Sequence, residues 1–315
     1  MMRILFTGAS SFTGMWIVKQ LVAQGHAVTA IFQRPLSDYH ELRLLRVQAL
    51  LPLCEPIFNC SFGTADFLEC IANKGPWDLF CHHAADVTNY KSPDFAVGTA
   101  VASNVFHLKE VLEALLNQGC RKVLLTGSVF EQHEGLGTMP LKAFSPYGLS
   151  KGITSEIFQF YTETLQMKLG KFVIPNPFGP FEEVRFTTYL IKKWALGENA
   201  LVSHPEYIRD NIHVSLLAKA YGFFAEKISA QAGFEKMNPS GYVGAQGTFT
   251  AEFAKQMRLR LGLACQYELQ TQTDFAEPKE RVNFDSVAFI PWNEQQAWDD
   301  LAEFYRDFYL KGNLS

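Results

Sequence analysis

The sequence has no hydrophobic run long enough to cross a membrane and no strong excess of either charge. No apolar stretch approaches the roughly 18 residues of a membrane span, and the short N-terminal run ends in a glycine turn, unlike a signal peptide. The formal net charge of −4 indicates neither a nucleic-acid nor a membrane-surface partner. The six cysteines lack C-x-x-C spacing, which predicts reduced thiols and no metal site. These absences together predict a cytoplasmic protein.

Short apolar runs alternate with segments of helical period in the first half of the chain. The strand candidates are residues 3–6, 27–32, 56–60, 77–82 and 122–126. The helix candidates are residues 12–23, 97–117 and 146–168, and a further strand is expected at 171–174. Strands that alternate with helices predict an α/β fold with a doubly wound parallel sheet of the Rossmann type.

This alternation loosens after Pro175. A turn cluster at 176–180 precedes helix candidates at 187–196, 215–229 and 250–261. The last helix carries an apolar face of Trp298, Leu301, Phe304, Tyr305 and Phe308. We interpret residues 1–175 as a dinucleotide-binding domain. Residues 176–315 are interpreted mainly as a smaller mixed α/β substrate lobe at the C-terminus, interleaved with the first domain.

Two glycines follow the first strand where the first helix begins. The run Thr7-Gly8-Ala9-Ser10-Ser11-Phe12-Thr13-Gly14 allows a tight turn whose N–H groups approach a pyrophosphate, and the helix N-terminus adds partial positive charge. A glycine pair also occurs in ordinary turns, but its place at the first strand of an alternating chain favours a dinucleotide site. The cofactor contacts expected in this turn are Gly8, Ser10, Ser11, Phe12 and Gly14.

The second strand ends without the acidic residue that would bind the ribose 2′-hydroxyl of NAD. Arg34 stands at this strand tip and suits a 2′-phosphate, which favours NADP over NAD. Arg34 is otherwise a solvated surface arginine, and Asp38 just beyond it lies within reach of the ribose. The cofactor is therefore expected to be NADP or NAD, with NADP slightly favoured.

Tyr147 and Lys151 are four residues apart on one predicted helix and therefore share a face. Tyrosine has a pKa near 10, which suits acid–base work at neutral pH poorly. A nearby ammonium, like an oxidised nicotinamide, lowers that pKa. The preceding strand ends in Leu125-Thr126-Gly127-Ser128, which brings hydroxyl groups to the same sheet edge. This constellation predicts proton transfer beside a nicotinamide.

Together these motifs resemble the extended short-chain dehydrogenases, the family usually called NAD-dependent epimerase/dehydratases, over nearly the whole chain. The resemblance implies that Thr126 is the catalytic hydroxyl, with Ser128 as second choice, and that Tyr147 and Lys151 complete a triad that also contacts the cofactor. Residues 80–85 resemble the run after the fourth strand that lines the cofactor. The further cofactor-binding residues implied are Ser61, Phe62, His82, Ala84, Ala85 and Asn104.

The second half resembles the members of that family that act on sugar nucleotides. Asn176-Pro177-Phe178-Gly179-Pro180 looks like the turn whose asparagine meets the substrate diphosphate, and residues 209–214 look like the R-D-x-x-H-V segment. Guanidinium suits a diphosphate because it presents several donors in a fixed fork. The other interpretation of Arg209 is an internal salt bridge. The resemblance implies Thr126, Asn176 and Arg209 as substrate-binding residues for a nucleoside-diphosphate sugar.

Several positions depart from the family pattern. Ser11 stands where the second glycine belongs, so its Cβ could alter cofactor geometry. Ser61 replaces a common aspartate, and Lys171 begins a strand in which an arginine is frequent. The 4,6-dehydratases carry an Asp-Glu pair after the catalytic threonine, whereas this chain has Gly127-Ser128, which argues against that reaction.

The resulting expectation is an NAD(P)-dependent enzyme that oxidises or reduces one hydroxyl or keto carbon of the sugar, most plausibly C4. It would be a sugar-nucleotide epimerase or a 4-ketoreductase, and the family suggests a homodimer. The alternatives are a non-catalytic NADP-binding regulator on the same fold and a reductase of a non-nucleotide carbonyl compound. His82 and His83 lack a third ligand at metal spacing, so zinc is not expected. Glu182 and Glu183 are expected to be solvated.

Overall fold

The computed structural model describes residues 1–311. Its strands are β1 Arg3–Thr7, β2 Ala27–Ile31, β3 Glu55–Ile57, β4 Leu79–His82, β5 Lys122–Ser128, β6 Leu136–Gly137, β7 Lys168–Ile174, β8 Asn176–Phe178, β9 Ala200–Val202, β10 Ile208–His213, β11 Gly233–Met237, β12 Pro239–Ser240, β13 Tyr242–Ala245, β14 Tyr267–Leu269, β15 Glu280–Val282 and β16 Asp285–Ser286. Its α-helices are α1 Phe12–Ala23, α2 Glu41–Leu50, α3 Ala65–Lys74, α4 Val97–Asn104, α5 Leu108–Asn117, α6 Pro146–Thr164, α7 Phe186–Ala195, α8 Val214–Lys227, α9 Gln246–Leu261 and α10 Glu294–Tyr305.

Seven parallel strands form the main sheet in the order β11-β7-β5-β4-β1-β2-β3. The chain runs outward from β1 to β3 on one side and from β4 to β7 on the other. The connection after β1 and the connection after β4 therefore run to opposite faces of the sheet. In such sheets a ligand crevice opens at the carboxyl ends of the two strands where the strand order reverses. Thr7 and His82 are register partners at this switch point. The predicted doubly wound Rossmann sheet is confirmed.

Helices cover both faces of the main sheet, and successive side chains of each strand point to opposite faces. The inner strands therefore contribute to two core clusters. Ile4 and Phe6 pack into one core cluster with residues of α1, α2 and α8. Leu5 packs into the other with residues of α3, α5 and α6. The six cysteines are free thiols, and five of them are buried.

The helix expected over 97–117 is two helices, α4 and α5. The chain breaks at His107, whose backbone has φ +49. The His107 ring nitrogen Nδ1 lies 3.0 Å from the Gly63 carbonyl oxygen, and a Cβ on Gly63 would come within 2.0 Å of the Phe106 carbonyl oxygen. The crowded approach of the Gly63 turn, a long-range contact, accompanies a break that helical periodicity does not reveal.

Three boundaries near the triad also differ from the prediction. The α6 helix ends at Thr164, earlier than the predicted residue 168, and β7 begins at Lys168 instead of 171. The β5 strand extends two residues past its predicted end, to Ser128. Thr126 therefore lies inside the strand and not at its last position.

Short strands of the second half, together with β6 of the first half, form a mixed sheet in the order β13-β10-β15-β6, with β8 paired to β10. A third core cluster joins Phe178 of β8 to residues of α7, α9 and α10. The β11 strand, also from this half, forms one edge of the main sheet. The domain boundary at residue 175 stays a prediction. Among residues 1–311, no helix has the length and apolarity needed to cross a membrane.

Candidate active site

The glycine turn after β1 is too crowded for side chains at two positions. Gly8 has φ +83, and a Cβ there would lie 2.7 Å from the Ala84 backbone nitrogen. A Cβ on Gly14 would lie 2.2 Å from the Gly8 carbonyl oxygen. The turn therefore holds the N-terminus of α1 directly against the end of β4. This cradle fits a dinucleotide pyrophosphate, which needs close backbone approach to a helix N-terminus.

Ser11 fits into this turn as the N-cap of α1. Its hydroxyl donates to the Gly8 carbonyl oxygen (2.9 Å) and accepts from the Gly14 N–H (3.0 Å). The serine thus uses one of the free amides at the helix start. Ser10 is half-buried beside it, and the Phe12 side chain is buried in the protein. The Ser11 side chain therefore closes the turn, and its effect on cofactor geometry stays a prediction.

Arg34 is exposed at the tip of β2, as expected for a residue that reaches a cofactor or solvent. Its backbone N–H faces the Tyr39 hydroxyl at 3.4 Å. Asp38 is also exposed, in a short 3-10 helix at Leu36–Asp38. The tip of β2 thus presents a cation, with an acid four residues later.

The rings of Phe62 and His82, two predicted cofactor residues, pack against each other inside the protein. The Phe62 ring lies 4.3 Å from the His82 ring, and His82 also stacks against Phe158 at 5.1 Å. His82 Nδ1 lies 3.1 Å from the Thr7 hydroxyl oxygen. The backbone oxygen of Ser61 accepts from Thr64. Any contact of His82 with a cofactor would therefore use its backbone, because its ring is buried.

The residues after β4 form the wall of the crevice. The Ala84 N–H donates to the Thr7 hydroxyl (3.3 Å), and Ala84 and Ala85 are half-buried. Asn104 is buried, accepts from the Asp86 N–H (2.9 Å) and donates to the Thr154 hydroxyl (3.3 Å). Asn104 therefore ties this wall to α6 through its side chain.

Two residues of the predicted triad, Thr126 and Lys151, are in contact where β5 and α6 come together. Lys151 is buried, and its Nζ donates to the Thr126 carbonyl oxygen (2.6 Å). The Tyr147 ring, one helical turn earlier, contacts Tyr90 and Phe95 with centroids 5.5 and 6.0 Å away. Ser145 caps α6 by accepting from the Gly148 N–H, and Pro146 follows at its first position. The start of α6 is thereby held beside the end of β5.

Burial dominates the electrostatics of this site. It lowers the pKa of Lys151 to about 8. Burial and the nearby negative charge of Glu131 raise the pKa of Tyr147 above its ordinary value. The expected lowering of the tyrosine pKa is therefore wrong for the polypeptide alone, because desolvation penalises the phenolate and the Lys151 ammonium is directed at a backbone carbonyl.

A buried charge cluster lies behind the triad. Lys171 Nζ is 2.6 Å from Glu131 Oε2 and 2.8 Å from Glu134 Oε1. Glu131 also accepts from the Ser128 N–H at 2.6 Å. A Cβ on Gly127 would lie 2.7 Å from Lys171 Cε. The lysine therefore fills the space at the position where 4,6-dehydratases carry an aspartate, which supports the argument against that reaction.

The two predicted substrate residues of the lobe lie on adjacent strands. Asn176 donates through Nδ2 to the Asp210 carbonyl oxygen (3.1 Å). Arg209 is buried, its Nη2 lies 2.9 Å from Glu277 Oε2, and its guanidinium stacks 4.3 Å from the Tyr207 ring. Arg209 Nη1 donates to three backbone carbonyl oxygens, those of Ile208, Pro278 and Lys279. The internal salt bridge that was the alternative interpretation of Arg209 is present, with Glu277 as partner.

A family model described as the NAD dependent epimerase/dehydratase family matches residues 4–238, well over half of the chain. The chain belongs to this family. A curated relative, the UDP-glucose 4-epimerase of Mycolicibacterium smegmatis, is 28% identical over 193 residues. That match spans 58% of this chain and 58% of the relative, less than two thirds of its length.

Solved structures share the epimerase/dehydratase fold over almost the whole chain. The UDP-glucose 4-epimerase of Thermotoga maritima with UDP-glucose has a TM-score of 0.72 at 16% identity, covering 97% of this chain and 99% of that chain. The UDP-glucuronic acid 4-epimerase of Bacillus cereus with UDP-glucuronic acid and NAD has 0.75 at 15%, covering 98% and 100%. DesIV of Streptomyces venezuelae, a dTDP-glucose 4,6-dehydratase, has 0.73 at 16%, covering 97% of each. At such identities the likeness concerns the fold.

Some residues of this epimerase/dehydratase chain were missed or misjudged from the sequence. His83 was set aside, yet its ring lies between Thr13 and Thr126. The expectation that Glu182 is solvated is wrong, because its side chain is buried and accepts from the Thr187 hydroxyl. Burial raises the pKa of Glu182 to about 7. Glu277 carries no motif, and only its contact with Arg209 reveals it.

Proposed function

We propose that this protein catalyses NAD(P)-dependent oxidation or reduction at one carbon, C4, of a nucleoside-diphosphate sugar. The observation that carries the proposal is the contact of the buried Lys151 ammonium with the end of β5 at Thr126, one helical turn from Tyr147. It lies at the crevice edge of a sheet whose first turn fits a pyrophosphate. Family membership and the UDP-sugars bound by solved relatives support the substrate class.

Each member of the proposed triad has a distinct task. Tyr147 gives a proton to the reacting oxygen or takes one from it, and its raised pKa keeps the phenol protonated and ready to donate. Lys151 is the cation that favours the phenolate when the proton leaves and that binds the nicotinamide ribose. Thr126 hydrogen-bonds the reacting oxygen. The nicotinamide supplies hydride acceptance or donation when bound.

Two net reactions fit this chemistry. A 4-epimerase oxidises the hydroxyl and reduces the keto sugar on its other face, whereas a 4-ketoreductase carries out the reduction once. Asn176 and Arg209 are proposed to bind the substrate diphosphate, and for Arg209 this requires that Glu277 give way. The remaining cofactor contacts are proposed at the glycine turn and along the crevice wall: Gly8, Ser10, Ser11, Phe12, Gly14, Arg34, Ser61, Phe62, His82, Ala84, Ala85 and Asn104. The side chains of Phe12, Phe62 and His82 pack inside the protein, so these three are proposed to contact the cofactor through their backbones.

The cofactor is proposed to be NADP or NAD. Arg34 at the tip of β2 favours NADP, whereas the Bacillus cereus relative binds NAD. A homodimer and a cytoplasmic location stay predictions.

The test combines cofactor identification with one substitution. The purified protein is denatured and any released nucleotide identified, and the protein is then assayed with UDP-glucose, UDP-galactose and their 4-keto derivative. Tightly held NAD with interconversion of the two sugars supports the epimerase, and NADPH consumption by the keto sugar supports the reductase. Tyr147→Phe should abolish turnover and leave cofactor affinity unchanged. Full activity of that variant would overturn the proposal.

A further inference from the structure

Three side chains form a hydrogen-bonded chain between the cofactor turn and the triad. His83 Nε2 lies 3.0 Å from the Thr13 hydroxyl oxygen, in the first turn of α1. His83 Nδ1 lies 2.8 Å from the Thr126 hydroxyl oxygen, in β5. Both ring nitrogens are thus engaged by hydroxyl groups from elements more than 40 residues away.

The His83 ring is held in one orientation by its surroundings. It stacks on Phe6 with centroids 5.7 Å apart and planes at 27°. Its backbone lies against Gly8, where a Cβ would be 2.9 Å from the His83 carbonyl carbon. The ring is half-buried, and burial together with the positive charge of Lys151 lowers the pKa of His83 to about 3. The imidazole is therefore neutral at physiological pH, with one nitrogen donating and the other accepting.

The choice of tautomer decides what Thr126 can do. A hydroxyl has one proton, and a proton that Thr126 gave to His83 could not be given to a substrate oxygen. If Nδ1 carries the ring proton, Thr126 accepts from His83 and its own proton stays available. Nε2 then accepts from Thr13. Only this arrangement agrees with a threonine that donates to the reacting oxygen.

We propose that His83 is a positioning residue, held as the Nδ1–H tautomer by Thr13, which fixes the Thr126 hydroxyl so that it donates to the substrate oxygen. This inference rests on the proposed function, because it assigns Thr126 its role there. It also links the two halves of the site, since Thr13 belongs to the helix whose N-terminus meets the cofactor. A small shift of α1 would thereby change the orientation of the Thr126 hydroxyl.

Paired substitutions separate this role from simple packing. Asparagine places its amide nitrogen near the position of Nδ1, whereas glutamine reaches that of Nε2. His83→Leu should lower kcat about 100-fold, because misplacing a catalytic group costs that order, with KM and cofactor affinity changed less than about threefold. His83→Asn should recover activity to within about fivefold of wild type by restoring the donor. His83→Gln should stay near the leucine variant.

A mutant cycle and a spectrum complete the test. With Thr126→Val already present, His83→Leu should lower kcat no further, since coupled residues are not additive. Side-chain ¹⁵N NMR of the wild type should show His83 as the Nδ1–H tautomer. His40→Leu changes an exposed histidine and serves as the kinetic control, so it should leave kcat unchanged. An Nε2–H tautomer, additive losses, or a leucine variant within about twofold of wild type would overturn the inference. The spectrum does not require turnover, so failure of the proposed function would be seen separately, as a wild type inactive on every nucleotide sugar.

Discussion

The glycine turn of the cofactor half and the Arg209 site of the substrate lobe hold their polar side chains by contacts of very different range. In the glycine turn, Ser11 bonds Gly8 and Gly14, each three residues away. In the lobe, Arg209 is held by Glu277 and by carbonyls up to 70 residues later. Short-range contacts follow from local turn chemistry, whereas long-range contacts depend on how distant segments meet. The glycine turn is therefore the more readable from sequence, and the surroundings of Arg209 are the more open to revision.

The largest expected effect tests the short-range contacts of the glycine turn. Gly14→Ala should lower dinucleotide affinity by about 100-fold, because the new Cβ would stand 2.2 Å from the Gly8 carbonyl oxygen and force the turn apart. Calorimetric titration with NADH and NADPH measures the loss. The matched control is Gly98→Ala in α4, where a Cβ meets open space. Unchanged affinity in the Gly14 variant would remove the turn from the cofactor site.

The success of sequence reasoning follows the same division. The alternation of strands and helices and the glycine turn predicted the sheet and the location of its crevice, because both depend on local periodicity and backbone conformation. The break at His107 was missed because a contact with Gly63 accompanies it. The sequence leaves Arg209 open between a diphosphate ligand and an internal salt bridge, because its carboxylate partner Glu277 lies outside any motif.

The next effect is a pH dependence of stability from the segment between β8 and α7. Glu182 is buried, with a folded pKa of about 7. Its ordinary value is near 4.3. Between those pH values the folded state binds more protons than the unfolded state. The contribution of Glu182 to the free energy of unfolding therefore falls as pH rises from about 4.5 to about 7. Glu182→Gln removes this titration, and the stability of the variant relative to wild type should increase by on the order of 2 kcal/mol from pH 5 to pH 8.

Urea denaturation of both proteins across that range gives the comparison. Asp210 and the buried histidines also titrate, so the difference between wild type and variant carries the information. Glu206→Gln, at an exposed position, is the matched control for the substitution itself. A wild-type curve parallel to that of Glu182→Gln would mean that the Glu182 carboxylate is ionised in the folded protein throughout.

A smaller effect tests the long-range contact in the lobe. Glu277→Gln weakens the 2.9 Å ion pair and frees Arg209 for a diphosphate. Glu277 is 49% exposed, so the pair is worth no more than about 1 kcal/mol, and UDP affinity should rise about threefold to fivefold. Titration with UDP at two salt concentrations measures it, and Glu268→Gln, an exposed glutamate of β14, is the control.

The opposite result would also be informative about the lobe. Arg209 already donates to the carbonyl oxygens of Pro278 and Lys279. If Glu277→Gln leaves UDP affinity unchanged or lowers it, the guanidinium is an anchor for that segment and not a diphosphate ligand. The substrate would then be bound by other groups of the lobe, with Asn176 the remaining motif residue.

The smallest expected effect concerns the preference for NADP over NAD at the tip of β2. Arg34 is exposed, so its attraction for a 2′-phosphate is screened by solvent, and Arg34→Ala should weaken NADPH binding about threefold while leaving NADH binding unchanged. Parallel titrations with both cofactors at low and high salt measure the ratio, and Arg43→Ala on the neighbouring helix α2 controls for general charge. Equal losses for both cofactors would show that Arg34 does not recognise the phosphate. The preference would then have to come from a residue that no motif marks, as with Glu277 in the lobe.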